Sequence, residues 1–190
     1  RYNRVIDCEL TDLGAGGIKV GDIPPGMEKQ EETEARTEPE RRAGYTEIRN
    51  NSIAHGGRLH PAGVGIWVGY SAYNIIEHND VFDLFYTGIS VGWVWGFKPN
   101  PAHHNRIEFN RVYDIAQNVL SDAGGIYTLG VQPGTVIRNN MVHGVHSYAN
   151  AGRGIYLDAG SSEILVENNL VYDTSHELFM VSYGRGNVVR

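Results

Sequence analysis

Ile107-Glu108-Phe109-Asn110-Arg111-Val112-Tyr113-Asp114 is the stretch whose reading decides the fold. An apolar residue stands three places before its asparagine and another two places after. The same spacing returns along the chain. The asparagine place is filled in turn by Cys8, Asn51, Asn79, Asn110, Asn140 and Asn169. The apolar place before it is Val5, Ile48, Ile76, Ile107, Ile137 and Val166, and the one after it is Leu10, Ile53, Val81, Val112, Val142 and Val171. Successive asparagine places are 43, 28, 31, 30 and 29 residues apart. A recurrence of this length is the mark of a solenoid, and the local alternation is that of strands.

The physical consequence is a parallel β-helix. Apolar residues that recur once per turn point inward and stack on their counterparts, about 4.8 Å apart. An asparagine that recurs once per turn marks a bend, where it tolerates left-handed backbone angles and its amide bonds to the asparagine of the next turn. Because Cys8 occupies the first such place, the ladder is expected to begin at Asn51. About six coils are read, over 3–21, 45–71, 72–96, 103–130, 134–162 and 163–186, in a single domain spanning 1–190. A charged insertion over 24–44 has no apolar stripe and reads as a solvated loop. Both ends fall inside a coil without a recognisable cap, so the rest of a longer parent polypeptide is expected to cover them.

A second motif runs through the coils: Gly17-Ile18, Gly65-Ile66, Gly88-Ile89, Gly125-Ile126 and Gly154-Ile155. Excursions between the asparagine bend and this Gly-Ile strand, or just after the strand, place a binding face on that side. Composition narrows the partners. A net charge of -6 and a pI near 5.7 offer no basic stripe for nucleic acid, and no apolar run is long enough to span a bilayer. The single cysteine, Cys8, rules out an internal disulfide. Histidines such as His103-His104 lack an acid or cysteine partner at ligand spacing, so neither a metal nor another cofactor is expected.

Two aspartates are not required by the repeat. Asp122 precedes Gly124-Gly125, and Asp158 closes Gly154-Ile155-Tyr156-Leu157-Asp158, where other coils carry Gly21, Gly69, Gly92 or Leu129. Two carboxylates on neighbouring coils are what glycosidic bond cleavage needs, one protonated and one ionised; the alternative role is to cap turns. In a straight shared register they would stand roughly 23 Å apart, so the pair requires the chain before Gly124 to fold back. Glu177 is the fallback partner. Trp67, Tyr127 and Tyr156 follow the inward isoleucines and are expected to form an exposed aromatic column, with Trp93 beside it, on which sugar rings could pack. His143 and His146, in the loop between the two key coils, and Arg153 are further substrate-binding candidates, and Arg138 is the other basic residue expected near the site.

The strings Ser121-Asp122-Ala123-Gly124-Gly125-Ile126-Tyr127-Thr128-Leu129-Gly130, Pro133-Gly134-Thr135-Val136-Ile137-Arg138-Asn139-Asn140, Gly154-Ile155-Tyr156-Leu157-Asp158 and Gly160-Ser161-Ser162 resemble bacterial right-handed parallel β-helix glycoside hydrolases of the pectin-lyase-like superfamily. They are similar in particular to glycoside hydrolase family 141, which has fucosidase and xylanase members, and the resemblance extends over most of 45–190. It implies a catalytic acid pair, matched here by Asp122 and Asp158. Ala159 departs from the family, which often has Glu after the aspartate, and so does Leu178 to Gly184, where relatives often carry histidines. The expectation is a secreted glycosidase, extracellular or periplasmic, acting on plant or microbial polysaccharide or oligosaccharide. A β-helical lyase or epimerase and a non-catalytic carbohydrate-binding module are the alternatives.

Overall fold

The computed structural model describes residues 1–22 and 43–190. The charged insertion expected at 24–44 lies, except for Ala43 and Gly44, outside the described residues. Three parallel sheets share one core. The first contains β1 (Arg4–Ile6), β4 (Glu47–Arg49), β7 (Ile75–Glu77), β10 (Arg106–Glu108), β13 (Val136–Arg138), β16 (Leu165–Glu167) and β19 (Val188–Val189). The second contains β2 (Glu9–Leu10), β5 (Ser52–Gly56), β8 (Asp80–Leu84), β11 (Arg111–Ile115), β14 (Met141–Val145) and β17 (Leu170–Thr174). The third contains β3 (Ile18–Val20), β6 (Ile66–Val68), β9 (Ile89–Val91), β12 (Ala123–Thr128), β15 (Gly152–Leu157) and β18 (Phe179–Val181). Each coil visits the three sheets in turn, and β19 opens a seventh visit to the first. No helix occurs among the described residues.

The inward columns are those the spacing anticipates. Ile48, Ile76, Ile107 and Ile137 are aligned across the first sheet and fully buried. Ile53, Val81, Val112 and Val142 do the same in the second, and Ile66, Ile89, Ile126 and Ile155 in the third. The recurring glycine before each isoleucine has a packing cause. A Cβ on Gly125 would stand 2.3 Å from Cγ1 of Val142, and one on Gly88 would stand 2.3 Å from Cγ1 of Val112. The third sheet therefore closes onto the second only where no side chain intervenes.

The asparagine ladder forms, with one correction. Asn110 Oδ1 accepts from the backbone N–H and the Nδ2 of Asn79, at 3.1 and 2.9 Å. Its own Nδ2 donates to Ile76 O at 2.9 Å and to Asn140 Oδ1 at 3.0 Å. Cys8 contributes only its N–H, to Asn51 Oδ1 at 3.0 Å, so the side-chain rungs do start at Asn51. The left-handed residue, however, is the one before the ladder: Asp7, Asn50, His78, Phe109, Asn139 and Asn168 have φ between 51° and 57°. A second ladder runs through Thr46, Asn74, Asn105 and Thr135.

These rungs keep the corner between the first and second sheets to two residues in every coil. All longer connections, including 57–65, 92–105 and 116–122, flank the third sheet. Arg138 lies on the outer face of the first sheet, where Arg49, Glu77, Glu108, Arg138, Glu167 and Arg190 share a column. It forms ion pairs with Glu108 at 2.9 Å and Glu167 at 3.6 Å. It belongs to this ion-pair column and not, as its place in the sequence suggested, to the neighbourhood of Asp122.

Candidate active site

The outward column of the third sheet reads Lys19, Trp67, Ser90, Tyr127, Tyr156 and Met180. The expected exposed aromatic ladder is thus broken by Ser90, and Tyr127 and Tyr156 are only 5% and 6% exposed. They pack with Leu129 and Ala159, and Trp93 and Met180 lie against them. Their rings meet edge to face at 5.1 Å.

The fold-back required by the aspartate pair takes place at the two glycines of β12. A Cβ on Gly124 would stand 3.2 Å from the carbonyl oxygen of Ile126, two residues on, and 3.3 and 3.4 Å from the Cβ atoms of Tyr156 and Tyr127. So close an approach across two residues marks a sharp bend. Gly124 N also donates to Thr87 Oγ1 at 3.4 Å. Asp122, at φ 57°, is held by its N–H to Asn150 O at 3.0 Å, while Ser121 Oγ accepts from Ala149 N at 3.1 Å. Its carboxyl thereby returns over the tyrosines, and the 23 Å of a straight strand does not apply.

Asp158 approaches from the other end of the sheet. Its Oδ2 accepts from the hydroxyl of Tyr127 at 2.7 Å. Asp122 and Asp158 each act on the Tyr156 phenol, and the charge of Asp158 is felt at Asp122, which places the two carboxyls in one cluster. Burial, and then the charge of Asp158, raise the Asp122 pKa against the opposing pull of Arg153 and Tyr156. The Tyr127 phenol is pushed far up by burial and then by Asp158, and that of Tyr156 likewise. Both therefore remain neutral donors throughout the working pH range. The upward shift at Asp122 favours its protonated form, and the Tyr127 hydroxyl donates to Asp158 beside it.

Arg153 and Glu177 frame this pair. The Arg153 guanidinium lies 4.3 Å from the Tyr156 ring centre, and its Nε bonds Glu177 at 2.7 Å; its Nη1 is 3.9 Å from Asp122. Arg153 in turn holds the Glu177 carboxyl below its ordinary range. Glu177 is thus an arginine holder rather than a second partner for Asp122. Tyr86 is a residue that sequence reasoning missed: burial and then the nearby charge of Asp122 raise its phenol, with Asp158 contributing. In the equally short connection 175–178 its place is taken by His176, so the repeat gave no aromatic column to draw attention to it.

The histidines are elsewhere. His143 is stacked between Tyr113 and Tyr172 on the outer face of the second sheet, at 5.2 and 4.7 Å. His146 Nε2 meets Asp173 at 3.1 Å in a polar recess with Asp83, Asp114 and Gln117. Neither joins the aspartate cluster. Trp67 and Trp93 lie on the same face as that cluster, 5.5 Å apart. Among the described residues no group of three or more His, Cys, Asp or Glu could hold a metal ion, and no helix is long and apolar enough to cross a membrane.

A family model described as "Right handed beta helix region" matches residues 1–146. The chain belongs to the right-handed β-helix family. A solved structure named "Glycoside hydrolase" is similar to it, with a TM-score of 0.82 and 28% identity over 98% of this chain. The chain spans 31% of that structure's length. No curated protein matches. The β-helix is thus glycoside-hydrolase-like in its fold and over nearly all of its sequence.

Proposed function

We propose that this β-helix carries the acid pair of a glycosidase similar to glycoside hydrolase family 141, and that it hydrolyses plant or microbial polysaccharide outside the cytoplasm. The observation that carries the reading is the tyrosine-linked pair, Asp122 with its raised pKa and Asp158 served by Tyr127. Asp122 protonates the glycosidic oxygen as the bond to the anomeric carbon breaks. Ionised Asp158 either adds to that carbon or takes a proton from an attacking water. Retention calls for carboxyl groups about 5 Å apart and inversion for about 6.5–9.5 Å. Arg153 lies beside the pair, 3.9 Å from Asp122, and is held there by Glu177.

A lyase or epimerase needs a base close to the uronate carbon. Arg138 is tied into the ion-pair column of the first sheet and Arg153 to Glu177, which favours hydrolysis. The test uses the full-length protein with a panel of neutral and uronic polysaccharides, alongside Asp122→Asn and Asp158→Asn. New reducing ends that both substitutions abolish are expected. Products absorbing as 4,5-unsaturated sugars would replace this reading with a lyase, and binding without products would leave a carbohydrate-binding module.

A further inference from the structure

All three tryptophans of the chain, Trp67, Trp93 and Trp95, are gathered on the face that holds the acid pair. Trp67 meets Trp93 edge to face at 5.5 Å, and Trp93 meets Trp95 in the same way at 5.0 Å. An open groove of about 310 Å³ lies at the Trp67 end, lined by Gly16, Gly17, Lys19, Val64, Trp67 and Trp93 among others. The position of Trp67 is built into the backbone. A Cβ on Gly69 would stand 2.2 Å from the Trp67 ring, so the indole lies where only glycine allows it.

The groove and the acid pair form one surface. Trp67, Ser90 and Tyr127 are consecutive outward positions in register on β6, β9 and β12. Ser90 points outward yet is only 1% exposed, so something covers it. Trp93, which touches Trp67 on one side and packs on the Tyr127–Tyr156 group on the other, bridges that position. Two strand spacings separate Trp67 from Tyr127, about 10 Å along the helix axis. A few linked sugar rings cover that distance. Lys19 is 5.2 Å from the Trp67 ring centre, and its charge is answered by Asp22 at 2.7 Å. The groove therefore combines indole surface with a cation that is already paired, a lining suited to neutral sugar rings.

We propose that the Trp67–Trp93 groove is a remote subsite for a neutral saccharide chain that runs along the helix axis from the acid pair. This rests on the glycosidase reading for its orientation but not for its measurement. Binding is read by calorimetry on the full-length protein carrying Asp122→Asn, with xylo-oligosaccharides and oligogalacturonides of two to six units as the probes. Trp67→Ala, and separately Gly69→Ala, which displaces the indole without removing it, should weaken binding of the longest neutral chains about tenfold and leave disaccharides unchanged. Trp67→Phe should restore most of the loss. An equal loss at every length, or no loss at any, overturns the subsite; preferential binding of the uronic series overturns its neutral character. Length-dependent loss in a protein whose wild type releases no products retains the groove and removes the hydrolase. Products without any dependence on Trp67 do the reverse.

Discussion

Asn110 and Asn139 are both asparagines at the same kind of corner, yet their replacement should have very different consequences. Asn110 is 1% exposed and makes four side-chain hydrogen bonds, spanning three coils. In Asn110→Ala, Asn79 Nδ2 retains Ile48 O and Asn140 Oδ1 retains the Asn110 backbone N–H. The Asn79 backbone N–H loses its acceptor inside the corner. One orphaned buried donor costs about 1–3 kcal/mol, and each of the other three lost bonds about 0.5–1.5 kcal/mol net. A destabilisation of about 4 kcal/mol is expected, a large share of the roughly 5–15 kcal/mol of a whole domain. Asn139, one place before the ladder in the next coil, has φ 56° and holds no rung. Asn139→Gly keeps that angle accessible and should change stability by about 0.5 kcal/mol or less. Urea unfolding of both variants, followed by circular dichroism, provides the comparison. Because the damage lies between coils, Asn110→Ala should also broaden the transition. Equal effects at the two positions, or a loss below about 1 kcal/mol at Asn110, would refute the assignment of the ladder to the second asparagine.

Two further outcomes concern the acid pair. The folded pKa of Asp122 is raised by burial and by Asp158, so ionised Asp122 destabilises the folded state, and its favourable contribution is lost as pH rises through the folded pKa. Asp122→Asn should therefore be more heat-stable than wild type at neutral pH, with the gain vanishing at a pH low enough to protonate the wild-type carboxyl; a gain independent of pH would contradict this. Glu177→Gln releases Arg153 toward Asp122, favours the ionised acid and should move the basic limb of the pH–rate profile to lower pH, whereas Arg153→Gln should move it to higher pH. A limb that stays fixed in both variants would mean that Arg153 does not set the acid.

The coil was legible in the sequence because its requirements recur. An inward isoleucine, a glycine that makes way for a side chain of the neighbouring sheet, and an asparagine with several bonds to make leave the same trace in most turns, with Cys8 in the asparagine place of the first and Leu178 in the glycine place of the last. The second ladder left a trace as well: Thr46, Asn74, Asn105 and Thr135 each stand two places before the inward isoleucine of the first sheet. The site was legible only in part. Asp122 and Asp158 could be picked out as residues the repeat does not demand, but their approach depends on a bend at Gly124-Gly125 that alternation alone does not reveal. The burial of Tyr127 and Tyr156 was missed because Trp93, which packs against them, comes from a connection outside the repeat. Glu177, the fallback partner, is separated from Asp122 by Arg153, a contact that sequence position does not reveal.

The distribution of tight and loose corners explains why the chemistry sits where it does. Between the first and second sheets each turn is fixed by the ladder asparagine and by a left-handed residue before it, so that corner cannot accept insertions without losing rungs. On the outer face of the first sheet, Arg138 and its partners already answer one another's charge. The aromatic stack of Phe82, Tyr113, His143 and Tyr172 covers the second sheet, with rings that face each other within 11° of parallel and so offer only their edges. The third sheet alone is flanked at both edges by connections that vary in length. One of these delivers Asp122 at its end, and another begins with Asp158 and is packed against by the loop that carries Trp93. Aspartate and tyrosine can occupy outward positions there because the inward isoleucine and its preceding glycine already fulfil the needs of the coil.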